Sequence, residues 1–184
     1  MATATAAKLL THKGKVPIVS CCILPHGRWQ TTDSLMPDYV TCDVSLDVHD
    51  PLPILHSHEP RQVLGWVGEN ARLLHRPNGW HLELALWDDA LGRRALREAM
   101  NTLWEQATCG GLSTREPDCL RGSSLGYVKG RDSDGKIDAV CISEISLTPF
   151  PKRYSRATAL SLEWRPAESW AAEPLLEEVS YVDA

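Results

Sequence analysis

The segment YVTCDVSLDV, residues 39–48, decides the expected fold because apolar and polar side chains alternate along it without interruption. The apolar members of this segment are Val40, Cys42, Val44, Leu46 and Val48. Successive side chains of a β-strand point to opposite faces of the sheet, so this period of two predicts a strand with one buried and one solvated face. The pair Asp50-Pro51 ends the pattern.

Outward from this segment, most of the chain also has the pattern of short strands. Apolar or alternating runs bounded by turn residues predict strands at residues 17–24, 54–57, 63–67, 71–75, 80–87, 112–116, 125–128 and 136–148. Residues 76–79, Arg-Pro-Asn-Gly, separate two of these runs, and Asn-Gly is a strong signal for a hairpin turn.

The clearest helical pattern predicts a helix from about residue 90 to residue 107. Its apolar residues recur at helical spacing, Asp88 or Asp89 supplies the N-cap, and Gly110-Gly111 ends it. Strands and helices do not alternate regularly, which argues against a doubly wound parallel sheet. The predicted fold is mainly β (α+β): a small closed or partly closed β-barrel with a flanking helix.

The length of 184 residues suits one domain with short appendages. We expect a flexible N-terminal arm at residues 1–15, a β-barrel domain at residues 16–160 and an acidic C-terminal tail at residues 161–184. Nearly all charges of the tail are negative, so it is expected to form a marginal helix or a disordered appendage.

Composition excludes several classes of protein. The net charge is -5 and the cations are scattered, which argues against a nucleic-acid-binding surface. No apolar run approaches the ~20 residues of a membrane span, and the N-terminus lacks the apolar core of a signal peptide. Six cysteines without a C-x-x-C pair are expected to be reduced thiols. These features predict a soluble intracellular protein.

Residues 55–60, LHSHEP, place His56 and His58 one residue apart. Imidazole is the side chain that exchanges protons most readily near neutral pH, and on an extended segment both rings would point to the same face. Three interpretations follow: one ring is a general base, both are metal ligands, or both are ordinary polar residues at a strand end. No third ligand stands at a metal-motif spacing, so the metal interpretation is the weakest.

Ser113 and Glu144 are the other candidates for chemistry. Ser113 comes just after the glycines that end the helix, and glycines leave the free N–H groups that a nucleophile and its oxyanion require. Those glycines equally suit a plain helix stop with a solvent-facing serine. Glu144 has the parity of Val140 and Ile142 in its predicted strand, although parity alone does not say which face is the core. A carboxylate on a buried face needs a partner such as an imidazole.

Three blocks of the sequence occur in a familiar order. They are His-Glu-Pro with a glycine shortly after it (residues 58–65), a helix that runs into Gly-Leu-Ser (residues 89–113) and ISEISLTPFP (residues 142–151). Together they resemble the tailed-phage prohead (capsid maturation) serine proteases over about residues 50–157. That family is distantly like the herpesvirus assemblins, so the resemblance implies an assemblin-like small β-barrel surrounded by helices.

The resemblance also implies roles for individual residues. By position, Ser113 is the nucleophile, His58 the base and Glu144 the third member of a Ser-His-Glu triad. His56 stays open as an alternative base or third member. Secondary candidates for binding the oxyanion are Leu112, Thr114 and Arg115.

The implied activity is that of a serine endopeptidase without a cofactor or a metal. It would cleave phage scaffold and major capsid protein, and also itself, inside the immature prohead in the host cytoplasm. The assemblin likeness allows a homodimer, and neither nucleic acid nor a membrane is an expected partner. The alternatives are a non-catalytic capsid-assembly or scaffold-binding protein on the same fold and, less favoured, a His-dependent metal hydrolase.

Overall fold

A computed structural model describes residues 8–29, 38–109, 118–151, 159–172 and 180–183. Its content is 58% strand, which confirms the mainly β prediction. The described helices are α1 (Ala90–Cys109) and α2 (Ala167–Ala172). The described strands are β1 (Lys15–Pro25), β2 (Gly27–Trp29), β3 (Asp38–Asp50), β4 (Pro53–His56), β5 (Glu59–Trp66), β6 (Ala71–Arg76), β7 (Gly79–Ala85), β8 (Gly122–Gly130), β9 (Ile137–Thr148), β10 (Ser161–Pro166) and β11 (Ser180–Asp183).

These strands form two sheets. The four-stranded sheet has the order β10-β1-β7-β6. The seven-stranded sheet has the order β11-β3-β9-β4-β5, with β2 beside β3 and β8 beside β9. The sheets do not close into a barrel, so a closed barrel is wrong for the described strands and a partly closed arrangement is only loosely consistent with them. Apolar residues of both sheets and of α1 make one large core.

The alternation at residues 39–48 appears as β3, and its predicted buried face is largely confirmed. Val44, Leu46 and Val48 are buried, whereas Cys42 is exposed. The pairing of β3 with β9 shifts register between Val40 and Ser45, and this irregularity interrupts the period of two at Cys42.

Helix α1 begins at Ala90, and of the two predicted caps Asp89 is the one used. The backbone N–H of Gly92 donates to Asp89 Oδ1 at 2.6 Å, which satisfies one of the unpaired donors of the first turn. Ala95 and Ala99 are fully buried and pack α1 onto the core of the sheets.

The segment after residue 160 differs from the predicted tail. Strand β10 pairs antiparallel with β1, from Lys15 opposite Pro166 to Ser20 opposite Ser161. Trp170 of α2 is buried, and the Arg72 guanidinium lies over its ring, 3.7 Å from the centroid. The local acidic composition did not reveal this pairing, because the partner strand is near the other end of the chain.

Candidate functional site

His58 lies in a two-residue turn that joins β4 to β5. His56 pairs with Glu59 across the hairpin, so Ser57 and His58 are the connecting residues. Their φ angles are 54° and 61°, and positive φ at both positions is the pattern of a type I′ turn, which favours Asn and Gly. Left-handed backbone at other residues costs about 1–3 kcal/mol each and is concentrated at functional sites. The backbone of Ser57 and His58 is therefore strained, and the fold keeps this strain where it positions the His58 side chain.

Strand β9 holds this turn in place through two hydrogen bonds. The backbone N–H of Ser57 donates to the carbonyl of Leu147 at 2.9 Å. The backbone N–H of His58 donates to the hydroxyl of Ser146 at 3.1 Å, and Ser146 is fully buried. The backbone that carries the imidazole is thus tied to the strand that carries Glu144.

The imidazole of His58 contacts the carboxylate of Glu144. Nδ1 of His58 lies 2.5 Å from Oε1 of Glu144, which is close enough for a direct hydrogen bond. A carboxylate accepts, so Nδ1 carries the proton and Nε2 keeps a lone pair when the ring is neutral. Within the described parts of the chain, Nε2 has no hydrogen-bond partner. This arrangement leaves the ring oriented for proton transfer at Nε2.

A β-bulge in β9 determines where Glu144 lies. In the pairing with β8, Gly126 stands opposite Glu144 and Tyr127 opposite Ile142, so Ser143 is an extra residue. The extra residue changes which positions of β9 face the core, and the buried apolar residues are Val140 and Ile142 before it and Ile145 and Leu147 after it. The predicted grouping of Glu144 with Val140 and Ile142 on one face is therefore wrong, since a bulge shifts the period by one residue. Glu144 is instead partly exposed beside the turn.

Gly126 provides the space that Glu144 occupies. A Cβ atom at Gly126 would lie 2.6 Å from Cγ of Glu144 and 3.1 Å from Oγ of Ser143. Sequence reasoning missed this residue, although a glycine inside a predicted strand is a known signal for a bulge or a close approach.

His56 belongs to a different, buried pair. Its Nε2 donates to Oε2 of Glu98 on α1 at 2.7 Å, and Nε of Arg94 donates to Oε1 of the same carboxylate at 2.7 Å. Burial by itself would raise the pKa of Glu98, but the hydrogen bonds from His56 and Arg94 outweigh it and hold that pKa below its ordinary value. The pair fastens α1 to β4.

The sequence predicted that the rings of His56 and His58 share a face, and this prediction is wrong. The reason is the turn: His56 ends the extended strand, whereas His58 has left-handed backbone, so alternation does not apply to it. Side-chain exposure is 5% for His56 and 42% for His58, and only the second ring is accessible to a large substrate.

The predicted nucleophile lies outside the described residues. The structure describes α1 up to Cys109 and the chain again from Asp118. Ser113 and the secondary candidates Leu112, Thr114 and Arg115 fall in this gap, as does the predicted strand at residues 112–116. The described site thus contains the predicted base and third member.

Metal ligation finds no support in the described part of the chain. No group of three or more His, Cys, Asp or Glu side chains that could hold a metal ion occurs there. His56 and His58 also bind different carboxylates on different elements, so they do not form the start of a shared ligand set.

Comparison of the chain with protein-family models gives no match, and comparison with curated proteins gives none either. Neither described helix combines the length and the apolar character that crossing a bilayer would require. The geometry around His58 and the three sequence blocks are therefore the grounds on which function is inferred.

Proposed function

We propose that the protein is a serine endopeptidase of the prohead maturation type. In this proposal Ser113 is the nucleophile, His58 the general base and Glu144 the residue that orients the base. The observation that carries it is the 2.5 Å contact between His58 Nδ1 and Glu144 Oε1. His58 and Glu144 are 86 residues apart in the chain and belong to two different blocks of the resemblance, and the pairing of β4 with β9 brings them into contact. The proposed fold is a partly closed, assemblin-like barrel with α1 beside it.

The chemistry follows from the orientation of the imidazole. Nε2 of neutral His58 accepts the hydroxyl proton of Ser113 while Oγ attacks the carbonyl carbon of the scissile peptide. The imidazolium that forms is stabilised by the Glu144 carboxylate at Nδ1. The proton then passes from Nε2 to the leaving amine, and water repeats the sequence to release the acyl group from Ser113. Backbone N–H groups at Leu112 and Thr114, or the Arg115 guanidinium, are the proposed donors to the oxyanion.

Accessibility supports His58 over His56 as the base. A general base must come within hydrogen-bond reach of the proton that it removes. The His56–Glu98 pair is sealed between β4 and α1, with side-chain exposures of 5% and 6%. The His58–Glu144 pair is open to solvent at 42% and 26%, which suits a substrate as large as a polypeptide.

The proposed substrates are phage scaffold and major capsid protein, with self-cleavage as a further event, inside the immature prohead. These substrates, and a homodimer as the working form, rest on the resemblance of residues 58–65, 89–113 and 142–151 alone. Neither a cofactor nor a metal has a role in the proposed chemistry.

The test is co-expression with the capsid protein from the same phage, read on a gel and by mass spectrometry. The parent is compared with Ser113→Ala, His58→Gln and, as a matched control for losing an imidazole, His56→Gln. We expect Ser113→Ala and His58→Gln to stop processing while both stay folded, because the nucleophile or its base is gone. His56→Gln should keep processing at a lower thermal stability.

Processing by Ser113→Ala at the parental rate would overturn the proposal. Loss of processing in His56→Gln but not in His58→Gln would transfer the base role to the buried ring. A parent that binds capsid protein or scaffold stably without cutting it would instead indicate the non-catalytic assembly protein.

A further inference from the structure

A cleft of about 310 Å³ lies directly beside the His58–Glu144 pair. It is lined by Pro53, Leu55, Pro60, Val63, Trp66, Gly126, Ser143 and Glu144. Most of its lining is apolar and comes from β4 and β5, while the polar groups come from the bulge of β9. We call it the Val63–Trp66 cleft.

Glu144 connects this cleft to the proposed chemistry. Oε1 of Glu144 accepts a hydrogen bond from Nδ1 of His58, and Glu144 also forms part of the cleft lining. An occupant of the cleft therefore contacts Glu144, whose carboxylate is hydrogen-bonded to His58. Binding sites are typically lined by apolar side chains with a few polar groups at one place, and their volumes are roughly 300–1,000 Å³. A volume at the lower end suits one or two amino-acid side chains.

The apolar lining is distinct from the core of the protein. Leu55 is 4% exposed but does not belong to the core cluster, whereas its neighbour Ile54 does. Adjacent residues of a strand point to opposite faces, so Leu55 is on the face of β4 away from the core. It forms the floor of the cleft rather than a part of the interior.

The backbone of β5 offers a second feature that suits a polypeptide. This strand ends the order of the seven-stranded sheet, and among the described strands it pairs with β4 alone. Asn70 occupies its far end, where it accepts from the N–H of Trp66 and donates to the carbonyl of Leu64. Residues 60–62, which fall between the paired positions Glu59 and Val63, are left as the open part of the edge. Pro60 has no N–H and the N–H of Arg61 donates to Oε1 of Glu59 at 3.3 Å, so an added strand would bond mainly to carbonyl groups there. Extended peptides bind such edges by adding a strand, and pockets for alternate side chains then select the sequence.

We propose that the Val63–Trp66 cleft binds an apolar side chain of an extended polypeptide substrate whose backbone pairs with the open edge of β5. The cleft would thereby select a substrate residue that lies close to the bond cut by Ser113, on either side of it. This inference rests on the proposed function and adds the residues that determine specificity. The occupant is a polypeptide because a strand edge and an apolar side-chain pocket meet at one place.

The test measures cleavage of synthetic peptides that span a processing site of the capsid protein, with each position near the cut changed in turn to Leu, Ala or Trp. Val63→Trp fills the cleft and Trp66→Ala enlarges it. The matched control is Val128→Ala, an apolar residue of β8 that is 75% exposed and does not line the cleft. Thermal unfolding of each variant shows that it is folded.

At one position we expect the parent to prefer Leu over Ala by about 10- to 100-fold in kcat/KM, since one or more methylene groups in an apolar pocket have effects of that size. Val63→Trp should reduce this preference to about 3-fold or less, and Trp66→Ala should favour Trp at the same position. The control should keep the parental preference. If both cleft variants keep it as well, the cleft proposal is overturned and the proteolytic function stands.

A parent that cuts none of the peptides, with the capsid protein also uncut, would remove the proposed function. The same peptides are then titrated into isotope-labelled protein, and shifts of the backbone amides of residues 61–66 are followed by NMR. Shifts there with the Leu peptide but not with its Ser counterpart would support the cleft as a peptide-binding site without catalysis. Shifts elsewhere, or none, would overturn it.

Discussion

Replacing Gly126 with alanine tests the geometry of the His58–Glu144 pair without changing either residue. The new Cβ would lie 2.6 Å from Cγ of Glu144, whereas non-bonded carbon atoms rest at about 3.5–4.0 Å. The Glu144 side chain must therefore retreat by about 1 Å. Its Oε1 lies 2.5 Å from Nδ1 of His58, and a retreat of that size takes the pair past the ~3.2 Å limit of a good hydrogen bond.

Under the proposed function, we expect kcat for capsid protein to fall about 100-fold, because a misplacement of about 1 Å in an active site has consequences of that order. The free energy of unfolding should change by less than about 1 kcal/mol. Gly126 is not among the residues with positive φ, so alanine adopts its backbone, and alanine also restricts the unfolded chain. The clashing group is a flexible side chain that can move toward solvent.

Three measurements check this expectation: the rate of capsid processing, the thermal unfolding midpoint and the ring nitrogen–proton correlations of His58 by NMR. Gly130→Ala is the matched control, since Gly130 lies in the same strand and its nearest neighbour is Ala139 Cβ at 3.1 Å, away from the pair. A Gly126→Ala variant with parental kcat and an unchanged His58 spectrum would refute the role given to Glu144.

Two further predictions concern buried carboxylates. The Glu83 side chain is 2% exposed and accepts hydrogen bonds from Arg76 and Arg165. Glu83→Gln should lower the free energy of unfolding by about 3 kcal/mol in urea titrations, because the two arginines lose their counter-charge. An unchanged unfolding midpoint would mean that the ion pair of Glu83 with Arg165 does not hold β10. Burial opposes ionisation of Glu98, but hydrogen bonds from His56 and Arg94 prevail and lower its pKa from the ordinary 4.5. Between the lowered pKa of folded Glu98 and about pH 4.5, the unfolded chain binds more protons than the folded chain. The stabilisation by ionised Glu98 is therefore present above about pH 4.5 and is lost as the pH falls through the lower folded pKa. The difference in Tm between the parent and Glu98→Gln should accordingly shrink on acidification, and a difference that stays constant from about pH 6 to about pH 3 would contradict this account.

The candidate site was only partly accessible from sequence. The resemblance of the sequence blocks predicted that His58 and Glu144 act together, and the structure places Nδ1 of His58 2.5 Å from Oε1 of Glu144. Gly126 and the Val63–Trp66 cleft were missed. The sequence does not show that Glu144 is the side chain that Gly126 makes room for. The cleft combines residues from four strands, whose alignment is set by register.

The local elements follow from short stretches of sequence. The strand at residues 39–48, the hairpin at residues 76–79 and the cap of Asp89 each depend on side chains within a few residues of one another. The structure has all three, although the alternation of the strand is interrupted at Cys42. Such signals act through local backbone preference and short-range hydrogen bonds, which neighbouring residues specify.

The other features of the site depend on contacts between distant segments. The bulge at Ser143 turned Glu144 toward His58, the left-handed turn separated His58 from His56, and β10 joined the sheet beside β1. Each of these depends on how distant strands align, and a shift of one residue exchanges the inner and outer faces of a strand. No local pattern encodes that alignment, because its free energy comes from contacts between segments far apart in the chain.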